Sequence, residues 1–333
     1  MARIREAPED FRVEELPLYP PSGEGEHTFV RVEKRLCTTE DVVSALARAA
    51  GVSSRDVGYA GRKDRVAVAT QWLSVPRLDP SQALRLTLSG VRVLEAVRHG
   101  HKLRTGQLCG NRFQIAVRDV GVDECESARQ RLERLCRVGM ANYFGSQRFG
   151  RGGRNIEVGS RLLRGEERSA DRRRARFAIS ALQSAVFNDV LDTRPTGLDE
   201  LETGDVAMLH SSGGQFLVAD AKSEQPRATA FEISPTGPIF GTRVIEPAGC
   251  VAARERAALE ARGISLETLQ RPRGIRLRGA RRALRVCPKH AQLREMRGGF
   301  WLDFELPPGS YATVLIRAVL GRKPEVGDGR SLG

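Results

Sequence analysis

An α+β architecture follows from the way two hydrophobic periodicities alternate along the first 138 residues. A capped helical pattern at Thr38–Gly51 precedes an alternating stretch at Val66–Val75; a second alternating stretch, Asn111–Arg118, precedes a helical pattern that stops at Gly139. No repeat or low-complexity tract interrupts the 333 residues. That length suits about two domains at roughly 100–200 residues each.

Taken in order, Thr38-Thr-Glu-Asp41 followed by Val42, Val43, Leu46, Ala49 and Ala50 reads as a capped helix ending at Gly51. Val66–Val75 alternates like a strand and lacks turn residues. In Asn111–Arg118 the side chains of Phe113, Ile115 and Val117 share one face, and period two puts Asn111 on that face too. Asp123 with Glu126 is a capping signal for a helix carrying Ala128, Leu132 and Leu135. A composition shift follows: Gly145–Gly165 is rich in Gly and Arg and reads as a surface excursion. Arg176–Leu191 predicts a helix with Ala178, Leu182, Ala185, Val186 and Val190 inward. Val206–His210 and Gln215–Ala219 flank Ser211-Ser-Gly-Gly214 as a hairpin. Val251–Arg262 reads as a surface helix before Gly263, and Phe300–Leu306 as a strand. Pro307–Ser310 then caps a helix with Ala312, Leu315, Ile316 and Val319 inward, and the tail after Gly321 reads as frayed.

Hydrophobic residues make up 40% of the chain, enough for packed cores and against disorder throughout. The longest run without Asp, Glu, Lys or Arg is 14 residues, Val206–Ala219, too short for a membrane helix. The N-terminus is charged from its third residue and has no signal-peptide core. Six cysteines (37, 109, 125, 136, 250, 287) form no C-x-x-C pair, so they read as reduced packing thiols in a cytoplasmic protein.

The formal charge is +13, and only six of the 54 basic residues are lysine, leaving 48 arginines. The excess is clustered. Arg148–Arg176 holds ten arginines against four acids, and Arg271–Arg297 holds nine arginines and Lys289 against Glu295 alone. Such density can neutralise phosphates and release their counterions, which points to nucleic acid. The competing reading is a solvated face in an arginine-rich chain. No basic amphipathic helix stands out for an acidic membrane.

Several chemistries lack their motif. Gly145-Ser-Gln-Arg-Phe-Gly150 echoes a phosphate loop without its Lys and Ser/Thr. No G-x-G-x-x-G follows a strand, no G-x-S-x-G elbow occurs, and the five histidines form no H-E-x-x-H. His99-Gly-His101 reads as solvent- or phosphate-facing sooner than as metal-binding. The remaining candidate is Gly58-Tyr-Ala-Gly-Arg-Lys-Asp64-Arg65, a loop leading into a strand, whose cations favour an ionised Asp64. Asp64 is either a carboxylate balancing surface cations or a nucleophile or base in a phosphate-binding setting. Spacing leaves both open.

Seven motifs in order resemble the TruD family of tRNA pseudouridine synthases. They are Pro8-Glu-Asp-Phe11-Arg-Val-Glu14, Gly23-Glu-Gly-Glu-His27, Gly61-Arg-Lys-Asp64 with Ala67-Val-Ala-Thr-Gln71, Gly110-Asn111-Arg-Phe113, Asn142-Tyr-Phe-Gly-Ser-Gln-Arg-Phe-Gly150, Gln183-Ser-Ala-Val-Phe-Asn188 and Leu306-Pro-Pro-Gly-Ser-Tyr311-Ala-Thr313. The resemblance implies a pseudouridine synthase fold: a central mixed, mostly antiparallel sheet flanked by helices, plus an inserted α/β domain. On this chain it implies a discontinuous catalytic domain at 1–138 and 286–333, with the insertion at 139–285. It also implies isomerisation of uridine at position 13 of tRNA, without metal or cofactor. A monomer is the default expectation.

By the same resemblance Asp64 matches the catalytic aspartate, which either attacks C1′ or removes a proton from C2′. Its supporting cation is Arg5, where relatives usually carry Lys, or Lys63. Phe113 matches the aromatic that stacks on an extruded uracil, Asn111 a hydrogen-bonding partner in the same pocket, and Phe11 and Tyr311 further substrate-pocket positions. Val66 and Ala318 depart from the His and Glu frequent at those places. The rival reading is a non-catalytic RNA-binding protein or RNA chaperone; an RNA methyltransferase lacks its Gly-rich cofactor loop.

Overall fold

Residues 1–270 and 277–326 are described by the computed structural model. They divide into two units, one formed by Met1–Glu133, Pro288–Ala312 and the chain from Ile316, the other by Arg134–Cys287 with Thr313–Leu315.

The first unit is built on a ten-stranded sheet. Its main path runs Lys289–Met296, Gly299–Leu306, Leu108–Arg118, Phe11–Pro17, Val68–Pro76, His27–Arg35, Val91–His99. Arg3–Ile4 lies beside the end of Leu108–Arg118, and Gly58–Tyr59 beside Val68–Pro76. Among the described residues only two of its pairings are parallel, Phe11–Pro17 with Val68–Pro76 and Arg3–Ile4 with Glu325–Val326. The sheet is therefore mixed and mostly antiparallel, as expected.

The helix Thr39–Ala50 forms where its capping chemistry placed it. Thr38 accepts from the Asp41 N–H, Asp41 returns the bond to Thr38, and Gly51 closes the helix at φ +65°. Its Val42, Val43, Leu46 and Ala47 pack on Val30, Val32, Leu73 and Val75 of the sheet. Each large side chain buried this way is worth roughly 1.5–3 kcal/mol. Leu108–Arg118 begins three residues before its clear alternation. Gly110 permits this, because a Cβ there would lie 2.5 Å from the Leu306 carbonyl oxygen.

Four local expectations change. The next helix is Val122–Val138, so Asp123 sits in its first turn and not at its cap; Cys125 N–H already donates to the Gly121 carbonyl. Beyond Gly321 the chain forms the strand Glu325–Val326 on the edge that Arg3–Ile4 offers; residues 327–333 lie outside the described residues. The last helix, Ala312–Leu320, takes Tyr311 and not Ser310 as its N-cap. His99 is 6% exposed, not solvent-facing. Its ring lies 4.2 Å from Phe29 and stacks on Tyr19, its Nδ1 accepts from the Ser22 N–H, and burial pushes its pKa down.

The second unit has its own four-stranded antiparallel sheet, ordered Gln215–Leu217, Val206–Leu209, Ile233–Ile239, Ala280–Ala283. The first pair is the expected hairpin. Its longest helix, Arg172–Asp192, starts four residues before the apolar pattern because Asp171 caps the N–H groups of Arg173 and Arg174. The Gly- and Arg-rich stretch contains a helix, Arg154–Arg164, ending at Gly165. Its Gly159 is buried at the crossing with the longer helix, where a Cβ would meet the Ala178 carbonyl at 2.3 Å.

Candidate active site

All seven residues singled out in the sequence lie in the first unit. The loop carrying Asp64 leads into Val68–Pro76 and is tied down at almost every residue. Arg62 reaches Glu40 at 2.8 Å. The Lys63 N–H donates to Thr39 Oγ1 (3.0 Å), which donates in turn to Gln71 Oε1. Lys63 Nζ meets Glu15 Oε2 at 2.6 Å, with the two side chains 5% and 1% exposed. Arg65 Nε donates to the Leu36 carbonyl. A Cβ at Gly61 would sit 3.3 Å from Lys63 Nζ, so any larger residue there presses on this ion pair.

The sequence neighbours of Asp64 thus turn to other partners, and a distant cation takes the carboxylate. Arg5 Nη2 donates to Asp64 Oδ2 at 2.6 Å. Arg5 is itself buried, and it stands at φ +61° where the chain leaves Arg3–Ile4. A non-glycine residue there carries strain of about 1–3 kcal/mol, of the kind that clusters at functional sites. The Asp64 side chain remains 42% exposed. One carboxylate oxygen is fixed while the group stays accessible, the state a nucleophile or general base requires.

A row of rings continues from Arg5. Its guanidinium carbon lies 3.9 Å above the Phe11 ring. Phe11 meets Phe113 edge to face with centroids 6.2 Å apart, and Phe113 stacks on Phe304 at 5.2 Å. The register explains the row: Phe113 pairs with Val13 on one side and with Phe304 on the other. Asn111 shares the Phe113 face, is half-buried, and pairs in register with Leu306. Tyr311 stands five residues beyond Leu306, at the N-cap of the last helix. Arg5 Nε and Asn111 Oδ1 are buried without a hydrogen-bond partner among the described residues. Such groups normally find one, at a cost of about 1–3 kcal/mol when they do not.

Three participants escaped the sequence reading, although each carried a signal. Glu15 follows Phe11 and Val13 on the buried parity of its strand. Lys34 follows Thr28, Val30 and Val32 on theirs, and Phe304 sits between Leu302 and Leu306. A charge on an inward parity demands a partner, and both charges prove to serve this loop. No group of three or more His, Cys, Asp or Glu among the described residues could hold a metal ion.

Known proteins resemble this chain over nearly its whole length. A family model described as tRNA pseudouridine synthase D (TruD) matches residues 1–173 and 171–319. A tRNA pseudouridine synthase D from Geobacter sulfurreducens is 38% identical over 96% of this chain and 94% of its own length. One from Anaeromyxobacter sp. is 45% identical over 95% and 92%, and one from Thermus thermophilus 43% over 95% and 88%. A crystal structure from Methanosarcina mazei, whose description refers it to the same group, aligns with a TM-score of 0.76 at 22% identity, over 96% of this chain and 94% of that one. On the family match and these identities, the chain belongs to the tRNA pseudouridine synthase D (TruD) family.

Proposed function

We propose that this protein isomerises uridine to pseudouridine at position 13 of tRNA, with Asp64 as the reacting carboxylate. The observation that carries the reading is a half-exposed carboxylate whose one oxygen is gripped by the buried Arg5, at the end of the aromatic row. In the reaction the C1′–N1 bond breaks, the uracil turns, and C1′–C5 forms; C5 loses a proton and N1 gains one. The ring is flat and uncharged, so stacking on Phe113 supplies grip without sequence readout. The unpartnered Asn111 oxygen suits the N3–H of the base, and the Arg5 Nε–H suits a carbonyl oxygen. Phe11 and Tyr311 complete the pocket, and Lys63 holds the loop through Glu15. In this reading the first unit is the catalytic domain, the second the insertion, and the enzyme acts on tRNA in the cytoplasm as a monomer without metal or cofactor.

Incubation with an unmodified tRNA pool, followed by pseudouridine mapping, is expected to yield one new pseudouridine at position 13. Absence of product would defeat the enzymatic reading and leave the RNA-binding alternative; a different position would revise the substrate.

The grip on RNA falls differently from the charge count. Within Arg271–Arg297, residues 271–276 lie outside the described residues, and Arg281 and Arg285 are buried inside the second unit. By contrast Arg172, Arg173 and Arg174 are exposed at the start of a helix, where the dipole disfavours cations. Their placement there serves something other than helix stability, and three exposed guanidinium groups on one helical turn suit phosphate. Replacing all three by Ala is expected to lower the slope of log K against log salt for tRNA by roughly 2–3, at about 0.9 per lost phosphate contact. An unchanged slope in a filter-binding titration would remove this helix end from the interface.

A further inference from the structure

Two of the six lysines are buried at the Asp64 loop, in a chain that otherwise uses arginine 48 times. Lys63 has a carboxylate partner, Glu15. Lys34 is the stranger case. It is fully buried, and its ammonium donates to the main-chain carbonyl of Asp64 at 2.6 Å and to that of Cys37 at 2.7 Å. Burial pulls its pKa down, while the Asp64 carboxylate is among the charges that favour its ionised form. Desolvating an ammonium costs several kcal/mol, a large outlay for joining two carbonyls.

The position of the charge gives it a use. Arg5 fixes one oxygen of Asp64, but a side-chain bond alone leaves the Cα free to move with its loop. Lys34 holds the main chain of that same residue and ties it to the turn ahead of the helix Thr39–Ala50. We propose that Lys34 is a positioning residue for the reaction: its buried ammonium fixes the backbone of Asp64 so that the carboxylate meets the sugar at the reactive distance. The inference rests on Asp64 being the reacting group. It also accounts for the residue type, since a compact ammonium can donate to two converging carbonyls from one nitrogen, whereas a planar guanidinium spreads its donors.

The test is single-turnover conversion of unmodified tRNA at saturating enzyme, a rate constant that the folded fraction does not scale, with tRNA affinity measured alongside. Lys34→Met and Lys34→Arg are each expected to slow the step by about 10–100-fold, in line with displacements near 1 Å, while Kd for tRNA changes by less than about threefold. Lys34→Arg keeps the charge and guards against a Met variant that does not fold. A rate within twofold of wild type in either folded variant overturns the proposal, as does a loss seen in affinity alone. Asp64→Asn is run in parallel. If it retains the wild-type rate, the reading of Asp64 has failed; if it is inactive while the Lys34 variants are normal, only the positioning role has failed.

Discussion

Asp64→Asn is expected to lower pseudouridine formation by at least about 10³-fold, on the scale at which reacting groups act, with tRNA affinity changed by less than about threefold. The substitution keeps the shape of the side chain, and its amide oxygen can still accept from Arg5 Nη2. What disappears is the negative charge, and with it the capacity either to bond to C1′ or to take a proton from C2′. The affinity should persist because the surrounding loop contacts are made by other residues: Lys63 through Glu15 and Thr39, Arg62 through Glu40, Arg65 through the Leu36 carbonyl. Mapping by single-turnover conversion and filter binding separates the two quantities. An Asn variant that still converts uridine would remove Asp64 from the chemistry and send the search to another carboxylate.

The second large effect is on stability. Among the described residues Arg285 is the largest fully buried side chain, and none of its hydrogen bonds goes to a carboxylate. Its guanidinium donates to Ser234 Oγ (2.9 Å) and to the carbonyls of Val138 (2.9 Å), Ala228 and Ile233 (3.2 Å), and lies 4.2 Å from the Phe231 ring. Within the second unit one side chain therefore joins Val138 to the Ile233–Ile239 strand and the end of the Ala221–Thr229 helix. Arg285→Met fills much of the volume but takes a donor from four acceptors; the Ala228 carbonyl keeps the Phe231 N–H and Ser234 Oγ keeps His210, and each of the others costs about 1–3 kcal/mol if it finds no water. The expected loss is about 3–5 kcal/mol, the range for breaking a buried charged network. Urea denaturation should show it as a lower midpoint. The triple change at Arg172, Arg173 and Arg174, on an exposed turn, should stay within about 0.5 kcal/mol per site. Equal stability of Arg285→Met and wild type would show that this network contributes nothing net.

Those two arginine groups show why the charge count was a poor guide to the surface. Composition located both basic windows, yet it could not tell a guanidinium that faces water from one that caps carbonyls in a core. That distinction depends on strand register, which places Arg281 opposite Pro238 and Arg285 opposite Ala141. Elements with local signals were legible: the Thr38 cap, the Asn111–Arg118 alternation and the hairpin at Ser211–Gly214 all stand where their residues put them. The strands Phe11–Pro17, His27–Arg35 and Val91–His99 passed unremarked. Their inward faces include Glu15, Lys34 and His99, so the apolar pattern was broken at the residues that matter to the site and its surroundings. Asp64 could be singled out from its motif. Its contacts with Arg5 and Lys34, 59 and 30 residues away in sequence, required the fold.

The sheet of the first unit has a consequence for how the protein is made. Leu108–Arg118 is flanked on one side by earlier strands and on the other by Gly299–Leu306. Between them the chain first builds Arg134–Cys287. At a ribosomal pace of about 5–20 residues per second, that interval lasts roughly 8–30 s. Throughout it the strand that bears Phe113 and Asn111 presents an open edge, the kind that recruits other chains. The ring of Phe304 and the partner strand of Arg3–Ile4 emerge later still. The pocket is thus among the last parts of the molecule to close, and a nascent chain stalled in the second unit would carry Asp64 without a finished site around it.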